Sequence, residues 1–323
     1  MDAKQIYDSL KAINFDIDQI DTVLYHNNCQ DGFGSAWIVW RYLKTDATYI
    51  GIAPDRLPPI SSFKNKYVVI LDISLPRSYL DEVKKIAKQV LLVDHHNTYA
   101  DELSNHKNAI FDMEHSSIYI TWRIFFPDEK IPQFIRYIED NDLGLYEIKK
   151  TEAFVAAIGT KLPFHNIDFF KTWNKLLNPA FVDSLIEDGI KYQEYKNYLL
   201  KRNMHIAEPM KIAGYNILVA NFGTVGLASD LGNKIAEQNK DYDFVLLWSW
   251  HSNNKEYSIM LRTRHNDTSI DLSQIAKLFG GGGHPRAARF TWKENIESLW
   301  TEMESKLPKK VNKKKSHKKT LKK

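Results

Sequence analysis

The chain of 323 residues is about twice the usual domain length, so two domains are expected. Its 43% apolar and 26% charged residues exclude a disordered or collagen-like chain, and its single cysteine, Cys29, excludes an internal disulfide. The formal charge of +4 is unevenly spread: residues 309–323 (KKVNKKKSHKKTLKK) carry nine lysines and no acid, while residues 1–308 hold 35 bases against 40 acids, a net of −5.

In chain order, residues 22–25 (TVLY), 47–52 (ATYIGI), 67–71 (YVVIL) and 90–93 (VLLV) read as buried strands, being short, apolar and rich in β-branched side chains. Helical spacing marks residues 34–43 (GSAWIVWRYL) and 78–88 (SYLDEVKKIAK), with Ser78 after Pro76 as the expected cap. Such alternation predicts an α/β fold, a mostly parallel sheet with helices on both faces and its ligand site at the strands' carboxyl ends. Residues 116–139 and 169–203 read as helical. A second set of strands follows at residues 217–220, 244–250 and 257–261, with helices at 227–238 and 271–278. The predicted organisation is a catalytic domain over residues 1–165, a helical connector over 166–203, a smaller α/β domain over 204–308 and a disordered lysine-rich tail over 309–323.

The chain lacks both an N-terminal signal pattern and an apolar run of 18 residues, so a cytoplasmic protein without a membrane partner is expected. The tail reads as a solubility segment, as a nuclear import signal, or as a salt-sensitive contact to nucleic acid.

The strongest chemical signal lies directly after the predicted strands. TVLY runs into His26, with Cys29, Asp31 and Gly32 close behind; YVVIL runs into Asp72; VLLV runs into Asp94, His95 and His96. Acids that gather at one crevice need a cation or protons to offset their repulsion. Carboxylate plus imidazole ligands suit Mn²⁺ best, then Mg²⁺ or Fe²⁺, and structural Zn²⁺ poorly. A further acid pair, Asp140 and Asp142, ends a helical run (FIRYIEDNDLG) and is a candidate to complete the set.

In the second half, residues 279–290 (FGGGGHPRAARF) place Gly280, Gly281, Gly282 and Gly283 before His284. A glycine run lets the backbone approach an anion closely, and Pro285 reads as the first turn of a following helix. Arg262, Arg264 and Arg286 stand near this segment in sequence as phosphate contacts. His106, His115, His165, His205 and His251 show no ligand spacing and read as structural or surface residues. Trp248 and Trp250 read as packing against the connector.

DHH at residues 94–96, VVILDIS around Asp72, YHNNCQDGFGSAW and GGGGH together resemble the DHH family of phosphoesterases with its associated C-terminal domain, over most of residues 22–292. The resemblance implies a two-metal centre, usually Mn²⁺. His26 would bind one ion, Asp31 and His95 the other, and Asp72 both. The fourth acid falls at Asp140 or Asp142, with Asp140 favoured as nearer the helix end. Asp72, Asp94 and His96 would be catalytic, with His96 facing the phosphate. Arg262, the four glycines and His284 would hold the nucleotide part of the substrate, with Arg264 and Arg286 as further candidates.

This sequence departs from the family pattern at two places. Cys29 stands where an aspartate is expected and is either a small residue beside the metal, the preferred reading, or a thiolate ligand favouring Fe²⁺ or Zn²⁺. Arg289 replaces the glycine that closes the GGGGHxxAAG pattern. The implied activity is metal-dependent hydrolysis of phosphodiester or phosphomonoester bonds in short oligonucleotides or related nucleotide phosphates. A catalytically weakened binder of single-stranded nucleic acid and a pyrophosphatase or exopolyphosphatase are the alternatives. Oligomeric state is left open between a monomer and a homodimer.

Overall fold

Short runs of Val, Ile and Leu carry enough apolar surface to be covered on both faces, and here they become the central strands of a parallel sheet. The computed structural model describes residues 3–44, 47–52, 56–73, 75–96, 99–223 and 226–310. The chain divides into two compact units, Met1–Glu194 and Tyr195–Lys323.

In the first unit the order is α1 (Ala3–Ile13), β1 (Thr22–His26), α2 (Gln30–Leu43), β2 (Thr48–Ile52), β3 (Tyr67–Leu71), α3 (Arg77–Ile86), β4 (Gln89–Asp94), α4 (Ala100–Leu103), β5 (Ala109–Phe111), α5 (Ser117–Phe125), α6 (Gln133–Asp142), α7 (Thr151–Lys161) and α8 (Phe170–Trp173), and α9 (Pro179–Asn203) begins in it and ends past Glu194. The sheet order is β2-β1-β3-β4-β5, with all pairs parallel. Successive side chains point to opposite faces. Val23, Val69, Leu91 and Val93 therefore join a core with Trp37, Trp122 and Phe134, while Leu24, Val68, Ile70 and Leu92 face the core that includes Leu80 and Val83. Residues 166–186, read from sequence as connector, contribute Phe170, Trp173, Leu176, Val182, Leu185 and Ile186 to the first of these cores.

Three local expectations change. Pro76, not Ser78, precedes the first turn of α3, and it makes no side-chain cap. The helical stretch at 116–139 is two helices, α5 and α6, separated by a segment that holds Pro127 and Pro132, which cannot continue a helix. The stretch at 169–203 is broken into short turns before α9.

The second unit contains β6 (Glu208–Ile212), β7 (Tyr215–Asn221), α10 (Ala228–Gln238), β8 (Phe244–His251), β9 (Glu256–Arg262), α11 (Leu272–Lys277), β10 (Gly282–His284), β11 (Ala287–Trp292) and α12 (Ile296–Lys306). Its six-stranded sheet runs β10-β11-β9-β8-β7-β6, parallel only at β7–β8. The expected helix at Pro285 is absent. His284 pairs with Ala287, so Pro285 and Arg286 form the two-residue turn of a hairpin. The following residues alternate, with Ala288 and Phe290 buried, and Phe290 stacks on Phe279 at 4.7 Å. A period-two apolar pattern that completes a sheet outweighs the proline cue. Trp248 and Trp250 pack on Tyr257.

Among the described residues, no helix is long and apolar enough to cross a membrane. Residues 311–323 of the lysine-rich tail lie outside the described residues.

Candidate metal centre

Parallel register aligns three strand ends. Tyr25 pairs with Leu71, and Leu71 with Val93, so the next residues, His26, Asp72 and Asp94, stand side by side at the carboxyl edge of three adjacent strands. His95 and His96 continue from β4. Asp31 enters from the first turn of α2, and Asp142 from the last turn of α6.

Asp72 lies at the middle. It is 1% exposed, its N–H donates to Val93 O at 2.9 Å, and its φ is +60°. Its Oδ2 is 3.3 Å from His26 Nδ1 and its Oδ1 is 3.2 Å from His95 Nε2. His95 Nε2 is also 3.3 Å from Asp142 Oδ2 and 3.5 Å from Asp31 Oδ2. Asp31 is fixed from behind, since the amides of Ser117 and Ile118 at the start of α5 donate to its two oxygens at 2.9 and 2.7 Å. His96 Nδ1 lies 2.7 Å from Asp94 Oδ1, which sets the Nδ1–H tautomer and turns Nε2 away from that carboxylate.

Gly32 makes the close approach of α2 possible. A Cβ there would lie 2.4 Å from His26 O and 2.9 Å from Asp72 Oδ2. Sequence reasoning left Gly32, Ser117 and Ile118 without roles. The paired hydroxyls Ser116 and Ser117 before an apolar run were the available sign of a helix start facing the site.

The electrostatics are those of a site short of positive charge. Burial, then repulsion from Asp72 and Asp142, pushes the Asp31 carboxyl well above its ordinary value; burial and Asp72 likewise raise Asp142. Burial would raise Asp72 too, but hydrogen bonds from His26 and His95 overcome it and hold that carboxyl well below the ordinary range. Burial opposes charge on His95 and His96, yet Asp72 raises the first, and Asp94 carries the second up to about 9. Burial, Asp72 and Asp31 push the Cys29 thiol up. Protons thus gather where cations would be favoured, and the donor set of carboxylate oxygens and imidazoles fits hard divalent ions.

Three ligand groups form, each with its donor atoms within 4.8 Å of one another: His26–Cys29–Asp72, Asp72–His95–His96 and Asp31–His95–Asp142. Asp72 and His95 link them. Asp140, favoured from sequence, is not brought in. Its carboxylate accepts from the amides of Glu147 and Ile148 at 2.8 and 3.1 Å and from the Thr151 hydroxyl, so it ties down the loop after α6. Residues two apart on a helix point about 200° apart, so only one of Asp140 and Asp142 can face the cluster.

The glycine segment lies in the second unit. Gly280 and Gly283 have φ of +74° and +137°, while a Cβ at Gly281 would lie 2.2 Å from Arg289 O and 2.5 Å from Phe290 Cβ. Gly282 and His284 form β10, and His284 is exposed. The arginines expected at substrate are engaged within the protein. Arg262 donates to Ser229 Oγ and Leu261 O, Arg264 to Tyr242 O and Asp267, and Arg286 to His265 O.

No family model matches the chain. It is 32% identical over 295 residues to the uncharacterized protein R106 of Acanthamoeba polyphaga mimivirus, covering 85% of this chain and 68% of that protein. It is 22% identical over 249 residues to the oligoribonuclease NrnB of Bacillus subtilis, covering 68% of this chain and 57% of NrnB, less than two thirds of that relative. Among solved structures, the DHH domain of a protein from a ribosomal-protein family superposes with a TM-score of 0.61 at 13% identity, over 95% of this chain and 90% of that one.

Proposed function

Because the chain belongs to the DHH family of phosphoesterases, we propose that it hydrolyses phosphodiester or phosphomonoester bonds of short oligonucleotides or related nucleotide phosphates with the help of two divalent ions, Mn²⁺ foremost. The observation that carries this reading is the meeting of His26, Asp31, Asp72, His95 and Asp142 at one sheet edge. The name of the Bacillus subtilis relative supports short RNA as the substrate class.

In this reading His26 and Asp72 would hold one ion and Asp31, His95 and Asp142 the other. When bound, such ions would supply Lewis-acid activation of water and relief of charge on the phosphoryl oxygens. The chain's own residues do the rest. The Ser117 and Ile118 amides fix the direction of Asp31. Asp94 orients His96 through Nδ1, and the half-buried ring faces a phosphoryl oxygen of the substrate. In the second unit the exposed His284 would hold the nucleotide part of the substrate; of the glycine amides, those of Gly280 and Gly281 already donate to Lys277 O and Ala276 O at 3.1 and 2.9 Å.

The test is incubation of the dinucleotide pApA with the protein and Mn²⁺, with radiography of the products. Mononucleotide release is expected. Activity confined to pyrophosphate or adenosine bisphosphate overturns the substrate assignment, and a metal-free protein with salt-dependent RNA affinity overturns the enzyme.

A further inference from the structure

His115 and Glu139 stand outside the acidic cluster, yet each is a short step along the chain from one of its carboxylates. His115 comes just before Ser117 and Ile118, whose amides hold the two oxygens of Asp31. Glu139 precedes Asp142 by three residues on α6, so the two side chains leave the helix only about 60° apart. His115 Nδ1 lies 2.8 Å from Glu139 Oε1, and Arg136 Nη1 donates to Glu139 Oε2 at 2.9 Å. The His115 ring stacks on Tyr119 with centroids 4.0 Å apart, and the Arg136 guanidinium sits 4.7 Å from the centre of the same Tyr119 ring. The four side chains close a circuit of hydrogen bond, ion pair, cation–π contact and ring stack, two of them from the start of α5 and two from α6.

Two features give this circuit its weight. Glu139 and Tyr119 are both buried, so the carboxylate depends on its two protein donors to offset its desolvation. Neither helix start is fixed by its own cap: Ser116 before α5 and Pro132 before α6 make no side-chain cap bond. Arg136 and Glu139, three apart, share the face of α6 that meets His115 and Tyr119. Turning α6 by one residue, about 100°, would break that face away and carry Asp142 off His95. A second imidazole–carboxylate pair in the same unit supplies a comparison. His106 Nε2 lies 3.0 Å from Asp81 Oδ1, and His106 stands before β5, at the amino-terminal edge of the sheet and therefore at the edge opposite the acidic cluster.

We propose that His115, Glu139 and Arg136 are positioning residues of the metal centre, whose circuit sets α6 against the start of α5 so that Asp31 and Asp142 meet one ion together with His95. The proposal rests on the metal reading above. It is tested on the full chain, stripped of metal, by calorimetric titration with Mn²⁺ of the wild type, His115→Ala, Glu139→Gln, Arg136→Ala and His106→Ala, with the melting temperature in EDTA as the measure of folding. His115→Ala and Glu139→Gln are expected to weaken one of two Mn²⁺ ions by about 10–100-fold, the usual effect of losing a group that orients a ligand. In an Asp142→Asn background the same substitutions are expected to cost about threefold or less, because the ligand they orient is gone. His106→Ala is expected to lower the melting temperature and leave the affinity unchanged. Arg136, whose side chain is 39% exposed, can be truncated without opening the core; Arg136→Ala is expected to weaken the same ion, and it decides the matter if His115→Ala does not fold. Unchanged affinity in the folded variants, an equal loss in His106→Ala, or a loss undiminished beside Asp142→Asn overturns the positioning role alone. A wild type that takes up no Mn²⁺ overturns the metal reading itself, and the proposal with it.

Discussion

Exchanging Asp142 or Asp140 for asparagine separates ligand from scaffold, because the two changes act on stability with opposite signs. The donor oxygens of Asp31 and Asp142 lie within 4.8 Å of each other. Like charges at that distance repel by roughly 3.5 kcal/mol at an effective dielectric near 20. A unit of this size shifts its Tm by about 2–4 °C per kcal/mol, so Asp142→Asn raises the Tm of the chelated protein by at most roughly 7–14 °C. The same substitution shrinks the stabilisation conferred by Mn²⁺. Asp140→Asn instead puts an amide donor against the Ile148 N–H and costs about 1–3 kcal/mol with or without metal.

The pH dependence follows from the same groups. Asp31 and Asp142 are raised in the folded state, so their contribution is most favourable below the ordinary carboxyl value and is lost as pH rises through the folded one. His95 and His96 are also raised, and their contribution, fully present below the ordinary imidazole value near 6.5, is lost as pH climbs, through about 9 for His96. The chelated protein therefore melts lower at pH 8.5 than at pH 6.5, and Mn²⁺ stabilises more at the higher pH. Differential scanning calorimetry in EDTA and in Mn²⁺ reads both effects. A lower metal-free Tm for Asp142→Asn, or loss of the Mn²⁺ shift in Asp140→Asn alone, refutes the assignment.

Gly32→Ala forces a methyl against His26 O and Asp72 Oδ2, and Mn²⁺ binding measured by calorimetry is expected to weaken by at least about tenfold. Cys29→Asp leaves turnover and metal preference unchanged if the thiol is a bystander; loss of an ultraviolet thiolate–Co²⁺ band in this variant, where the wild type shows one, overturns that reading. Truncation after Lys310 keeps the contacts of Lys310 with Ala213 and Asp243, and dinucleotide hydrolysis is expected to persist while salt-sensitive binding of longer strands weakens. Loss of dinucleotide hydrolysis would show that the lysines serve the reaction itself.

The central strands were legible because runs such as YVVIL and VLLV are covered on both faces, and the polar residue after each run marks the strand end whatever the packing. Direction on a helix was not legible. The choice between Asp140 and Asp142 depends on how α6 is rotated against the sheet, which nearness to the helix end does not report. The edge strand β6 (EPMKI) went unseen because its side chains are mostly exposed and it includes Pro209, so it lacks the apolar run that marked the others. At the hairpin the signal was present: AARFTW alternates, but Pro285 after the glycines suggested a helix start. The role of Arg262 could not be read at all, since its partner Ser229 is 33 residues away.

The left-handed backbone at Asp72 has a consequence for which residues can occupy the position. Aspartate and asparagine tolerate that conformation because their short polar side chains hydrogen-bond locally, whereas longer or branched residues pay for it in steric strain. Glutamate could offer the same carboxylate to a cation, but it would start from a disfavoured backbone and reach one methylene further. Coordination chemistry and backbone torsion therefore exclude different substitutes at this site, and only aspartate meets both requirements. The substitution Asp72→Glu is penalised even before any ion binds, so chemical similarity alone is a poor guide to what this strand end accepts.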